Sequence, residues 1–373
     1  MIFLIAVLIA SVFVDSIFAT LDHSQEDLPQ LFVGVDVAYY NLDEMYDLID
    51  EVSQYTNLFI IGTTGISYNE TKLVETCQYL YDRDMYFIIY SDSQRRLDLI
   101  SDIEKKYGDH FLGVYFGDES GGKQLDIVEY RGVNEADNYT DAANQFVEGL
   151  NGWLNRRYTR NETLPQTVPS DFRLFTSDYA LYWFDYKAGY DTVFAEFGWN
   201  YSRQLNVALC RGAATVQNKE WGVMITWTYN NPPYIESGEE LYNDLVFAYE
   251  NGAKYILVFD SNEEYTQGIL KEEHLEALKQ FWQYVKENPR IITPHNERVA
   301  YVLPKDFAYG FRGPNDKIWG LWEADDLSLK ISTDLGSLLE EYGTSFDIIY
   351  DDGIEFDKLY GKYIFWNGTI YSP

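Results

Sequence analysis

Two stretches of this 373-residue chain put acids where apolar strands should end. FLGVYFGDESGG, residues 111–122, runs from mostly apolar residues straight into Asp118 and Glu119. In VFAEFGWN, residues 193–200, Glu196 sits among Val193, Phe194, Ala195 and Phe197. A carboxyl in so apolar a setting resists ionisation, and its pKa rises. A raised pKa equips the group to deliver a proton near neutral pH. Glu119 and Glu196 are therefore the candidate catalytic pair, with Asp118 as the understudy. The competing reading is bland: acids after strands often cap the next helix or solvate a loop.

Other acids fall at similar places. Asp36 follows LFVGV, Asp92 the third apolar run, Asp178 the fifth and Asp260 the eighth. Asp92 and Asp178 read as helix caps, Asp36 as a helper that orients substrate or partner acid, and Asp260 as a substrate contact. Side chains alternate along a strand. Glu119 thus shares a face with Gly117 and Tyr115 and points inward, whereas Asp118 shares one with Phe116 and Val114 and points toward the helices. Trp183, Trp199, Trp227, Tyr229 and Tyr234 all lie just past the fifth to seventh runs. WTYNNPPY, residues 227–234, sets rings beside amides such as Asn230. Flat apolar faces with polar edges suit sugars, and two carboxylates across such a site fit glycoside hydrolysis. For any single ring, the alternative is a plug in the mouth of the fold.

The elements that must position these groups alternate. Apolar runs at 31–39, 58–64, 85–91, 111–117, 173–177, 192–197, 221–228 and 255–259 predict eight strands. Helical periodicity follows most of them, at 42–55, 71–81, 95–107, 141–158, 204–217, 239–251 and 272–287. Eight such units predict a (β/α)8 TIM barrel, residues 28–293, with its site at the C-terminal strand ends. A doubly wound open sheet is the alternative. Beyond residue 294 the order changes: a strand at 299–303, a helix at 327–342 and strands at 346–350 and 363–366 predict a small C-terminal α/β domain, 294–373.

Composition narrows the class. The net charge is −32 and aromatics make up 17% of the residues. Such acidity argues against nucleic acid or an anionic membrane as partner. Four His without ligand spacing and two distant Cys give no metal site and no disulfide framework. No cofactor motif is present. Residues 1–19 read as a secretory signal peptide, with an N-terminal anchor as the alternative. Sequons at Asn69, Asn138, Asn161, Asn200 and Asn367 agree with export to the medium or cell surface.

On Asp118, Glu119 and Glu196 the chain resembles secreted (β/α)8 glycoside hydrolases. α-Galactosidase-like enzymes carry a nucleophile after strand four and an acid/base after strand six, which the resemblance would assign to Glu119 and Glu196. Cellulase-like enzymes need a nucleophile after strand seven, but ITWTYNN offers no acid before Glu236. The chitinase signature DxxDxDxE is absent as well. The C-terminal segment is similar, in element order, to the small domain that follows the barrel in some β-galactosidase-like enzymes. The resemblance implies an exported hydrolase acting on an oligo- or polysaccharide. The rival reading is a non-catalytic carbohydrate-binding or cell-envelope protein on the same scaffold. A phosphate-handling barrel would need a Gly-rich phosphate loop that this sequence lacks.

Overall fold

The computed structural model describes residues 28–91, 97–128, 132–159, 172–353 and 359–373. The leader 1–19, Asp92 and Asn161 lie outside the described residues. The chain divides into two units after Gln30, and all the elements below belong to the second, Leu31–Pro373.

Eight parallel strands close into a barrel: β1 (Phe32–Val37), β2 (Leu58–Ile61), β3 (Tyr86–Tyr90), β4 (Phe111–Tyr115), β5 (Leu174–Asp178), β6 (Thr192–Phe197), β7 (Glu220–Ile225) and β8 (Tyr255–Asp260). β1 pairs with both β2 and β8, so the ring has no edge. The expected TIM barrel is therefore present and the open sheet is not. Helix α1 (Leu42–Val52) follows β1, and α2 (Thr64–Ser67) and α3 (Glu70–Tyr81) follow β2. Next come α4 (Leu97–Tyr107), then α5 (Ser120–Asp126) and α6 (Tyr139–Thr159) after β4. The circuit ends with α7 (Tyr182–Ala188), α8 (Arg203–Gln217), α9 (Gly238–Glu250) and α10 (Glu272–Glu287). Local chemistry starts several of them: Ser202 caps α8, and Ser237 with Glu240 forms a capping box on α9.

The short helices α2 and α5 were not legible in the sequence. α5 forms because Asp178, from β5, accepts from the amides of Gly121 and Gly122 at 2.5 and 2.9 Å. That cap is 57 residues away in sequence, so no local pattern encodes it.

The barrel interior is filled by rings. Phe175, Phe194 and Tyr255 pack with centroids 5.5–5.9 Å apart, and Tyr115 meets Phe194 at 6.2 Å. Glycines serve this packing in two ways, one sparing the neighbouring strand's backbone and one the rings. A Cβ on Gly34 would lie 1.8 Å from the carbonyl oxygen of Leu58, and one on Gly222 would press Tyr255 and Phe194. Large and small residues thus interleave at the density a closed core demands.

A second sheet holds β9 (Val299–Leu303), β10 (Phe346–Tyr350), β11 (Lys362–Phe365) and β12 (Ile370–Tyr371) in the order β10-β9-β11-β12. Helix α11 (Asp326–Tyr342) precedes β10. This is the expected small α/β element, and it docks on α8. Gly212 of α8 lets the backbone of Ile348 approach, since a Cβ there would sit 2.3 Å from its carbonyl oxygen. Beside it, buried Arg211 donates to Asp347 at 2.7 Å and to the carbonyls of Thr344 and Phe346 at 2.8 and 3.0 Å. Removing one member of a buried pair strands the other charge. Arg211→Ala should therefore cost about 3 kcal/mol of stability in a urea melt. Arg211→Lys should recover little, because an ammonium cannot reproduce the planar fork.

Candidate active site

The site is built where strands β4, β5 and β6 end. Along β6, Phe194 fills the barrel and Phe197 packs on Phe247 of α9. Glu196 shares the inward face with Phe194, one pleat nearer the mouth. It is 6% exposed. Its Oε1 accepts from Ser177 Oγ of β5 at 2.6 Å, and Ser177 Oγ lies 2.8 Å from the hydroxyl of Tyr115 on β4. With its own proton directed at Glu196, Ser177 accepts from Tyr115. Three adjacent strands thus hold one carboxyl in a relay. Burial, then the nearby Glu119 charge, drives the Glu196 pKa well above the carboxylate range, while the Ser177 hydrogen bond opposes the rise.

Glu119 reaches the same space by another route. β4 ends at Tyr115, Gly117 adopts φ +64° and Glu119 itself φ +54°. The chain turns inside out after the strand, a turn that glycine accommodates at no steric cost. The strand alternation from which the sequence placed Glu119 inward has already ended there. It faces inward because its amide, donating to Ser177 O at 2.8 Å, holds this left-handed turn over the barrel. Glu119 and Glu196 stand close enough for each to act on the other's ionisation. Burial and Asp118 raise the Glu119 pKa, opposed by Lys123, whose Nζ lies 3.1 Å from Glu119 Oε2.

Asp118 departs from the expectation that it faces the helices. The same turn leaves its side chain 43% exposed at the mouth, 3.6 Å from Lys123 Nζ. From there it also raises the pKa of Asp36. Asp36, 2% exposed at the end of β1, sits over Gly62, where a Cβ would lie 2.1 Å from its Oδ1. That oxygen has no hydrogen-bond partner among the described residues. Burial, Asp118 and Asp260 all push Asp36 upward. Tyr265, from the loop after β8, overhangs this group: burial, then the charges of Asp118 and Glu119, raise its phenol.

The remaining expected contacts divide. Asp178 is a cap, but of α5 after β4 and not of the helix that follows its own strand, whose N-cap is Leu181. Asp260 is committed to its own loop, accepting from the amides of Ile269 and Leu270 at 2.6 and 3.0 Å, so it orders the β8 loop instead of facing substrate. Trp183 is corrected as well: α7 turns its ring into the core, 5.2 Å from Tyr350 of the second sheet. Trp227 and Tyr234 pack on each other at 5.4 Å, and Trp227 donates to Ser261 O at 2.9 Å, which ties the β7 and β8 ends together. Trp199, Tyr229 and Asn230 line a shallow depression of about 450 Å³ on the rim. Glu236, the first acid after β7, is held by Arg203 at 3.2 Å beside Asp244 and titrates at about 8 through burial first and Asp244 second. Among the described residues, no group of three or more His, Cys, Asp or Glu is disposed to hold a metal ion.

Sequence reasoning missed Lys123, Ser177 and Tyr265, and it set Tyr115 on the inward face without its contact to Ser177. Lys123 was within reach, since it stands four residues after Glu119, the spacing of a helical ion pair. Ser177 and its contact with Tyr115 become visible only once strand register is known.

The relay makes a measurable claim. The Ser177 hydrogen bond stabilises ionised Glu196, so Ser177→Ala should raise the Glu196 pKa further. If Glu196 must be protonated to act, the alkaline limb of the kcat/KM profile then moves to higher pH. A limb that stays in place in Ser177→Ala would show that another group sets it.

No protein-family model and no curated protein matches this chain. Among solved structures, a GH5_18 protein from Streptomyces cattleya in complex with GlcNAc shares the fold at TM-score 0.51. It is 11% identical and the match covers 86% of this chain and 93% of the other. A GH5_18 variant from Bifidobacterium longum subsp. longum in complex with Manβ1-4GlcNAc follows at TM-score 0.48 and 10% identity, covering 86% and 91%. An endo-β-1,4-mannanase from Thermotoga petrophila matches at TM-score 0.46 and 9% identity, covering 74% and 82%. The first of these likenesses shows the barrel fold.

Proposed function

We propose that this chain is an exported glycoside hydrolase that cleaves an oligo- or polysaccharide with Glu119 and Glu196. The observation that carries the reading is the pair itself: two carboxyls at one barrel mouth that act on each other's ionisation, only one of them beside a cation. Interacting acids lose their protons in two steps. Lys123 favours loss of the first from Glu119, and the relay's apolar surroundings retain the second on Glu196. Glu196 then donates its proton to the glycosidic oxygen as the C1–O bond breaks. Glu119, ionised, attacks C1 and forms a glycosyl ester. Glu196, now a carboxylate, takes a proton from the water that hydrolyses this ester. This is the retaining course, in which the two carboxyls stand about 5–5.5 Å apart; inversion needs about 6.5–9.5 Å.

The fold shared with the Streptomyces protein supports the reading, since that protein was captured with a sugar. Export rests on the leader and on the exposed sequon asparagines Asn69, Asn138, Asn200 and Asn367. Both cysteines, Cys77 and Cys210, are buried and free.

The experiment is hydrolysis by wild type of a panel of aryl glycosides and polysaccharides, with product anomers followed by NMR. Cleavage with retention supports the reading. Glycan binding without any cleavage would replace it with the carbohydrate-binding alternative.

A further inference from the structure

Beside the acid mouth a small pocket of about 190 Å³ opens between the end of β3, the β4 turn and helices α5 and α6. Its lining includes polar Asp118 and Lys123 and apolar Phe146, Leu150 and Trp153. The Trp153 ring is fixed against Phe116 at 4.3 Å, over Gly117. Gly149, in mid-α6, also lines the pocket, and a Cβ there would meet nothing within 4 Å. Glycine weakens a helix interior relative to alanine. Neither packing nor a left-handed backbone requires glycine at 149. Its missing side chain leaves pocket space.

We propose that this pocket is a subsite for a neutral sugar ring next to the one whose bond is cleaved. The inference rests on the glycosidase reading and names where a second ring of the substrate lies. The aromatic and aliphatic lining takes the C–H face of a pyranose, and the carboxylate of Asp118 accepts from its hydroxyls. Asp118 and Lys123 belong both to the pocket and to the acid cluster, so the two spaces adjoin. Lys123 already serves two carboxylates, which leaves the polar wall net negative and sets it against an acidic sugar.

Gly149→Leu fills the pocket, and Gly149→Ala controls for the helix. Each is compared with wild type on a glycosyl fluoride, which carries only the sugar whose bond breaks, and on a neutral oligosaccharide. Gly149→Leu should raise KM for the oligosaccharide at least tenfold and leave the fluoride unchanged, with no fall in melting temperature. An unchanged oligosaccharide KM in a folded Gly149→Leu overturns the proposal and leaves the glycosidase reading intact. So does equal loss on both substrates, which would mean that the change acts on the acids. If wild type cleaves no glycoside, the glycosidase reading fails on its own. Calorimetric titration with manno-, cello- and chito-oligosaccharides then decides: binding lost in Gly149→Leu supports a sugar pocket, and binding unchanged or absent in wild type overturns it.

Discussion

Glu196→Gln is expected to lower kcat/KM roughly a thousandfold on substrates with sugar leaving groups, the scale of a lost general acid. The loss should shrink toward zero as the leaving group becomes more acidic, because a dinitrophenolate departs without a proton. Folding should survive. Glutamine keeps the shape and the oxygen that Ser177 donates to, and it removes a buried acid that resists charge. A carboxyl whose folded pKa is raised favours the folded state only while protonated, and that advantage fades as pH climbs from the unfolded value toward the folded one. The variant should therefore melt no lower than wild type at pH 8. Equal loss across all leaving groups would remove Glu196 from the acid role.

Glu119→Ala is expected to lose at least roughly ten-thousandfold in kcat whatever the leaving group, as removal of a nucleophile does. Azide should restore cleavage of activated aryl glycosides and give a glycosyl azide of the opposite anomeric configuration, since it enters from the face that Glu119 vacates. In Glu196→Ala, azide should give the same configuration as the substrate, because the glycosyl ester on Glu119 still forms first. Exchanged stereochemistry between the two variants would swap the roles. Lys123 tests the same electrostatics: it stands 3.1 Å from Glu119, and without it the first proton should leave at higher pH.

Much of this site lies open in the primary structure because its elements are local. Phe111–Tyr115 and Thr192–Phe197 are apolar runs bounded by turns and acids, and eight such runs interleaved with helices leave few topologies beside a barrel. Glu196 stood out by its apolar neighbours, and strand alternation sets it on the same face as Phe194. Glu119 came out inward for a reason that alternation does not contain, since Gly117 had already ended the strand. For Asp118 the same rule pointed to the helices, and the left-handed turn turned it to the mouth. Asp260 and Trp183 show the other limit. An acid or a ring just past a strand end has several possible partners, and the choice among loop amides, core and cleft depends on segments that are distant in sequence.

The amino-acid sequence by itself determined the ring of eight strands, the small sheet after it and the pair of acids worth testing, because hydrophobic period and turn chemistry act over a few residues. Only the folded chain decided which groups surround them. Tyr115, Ser177 and Glu196 become neighbours through the register of three strands, and Asp178 caps α5 across 57 residues. Whether a carboxyl keeps its proton depends on the solvent and charges that such neighbours exclude or supply, and those are fixed only when the barrel closes.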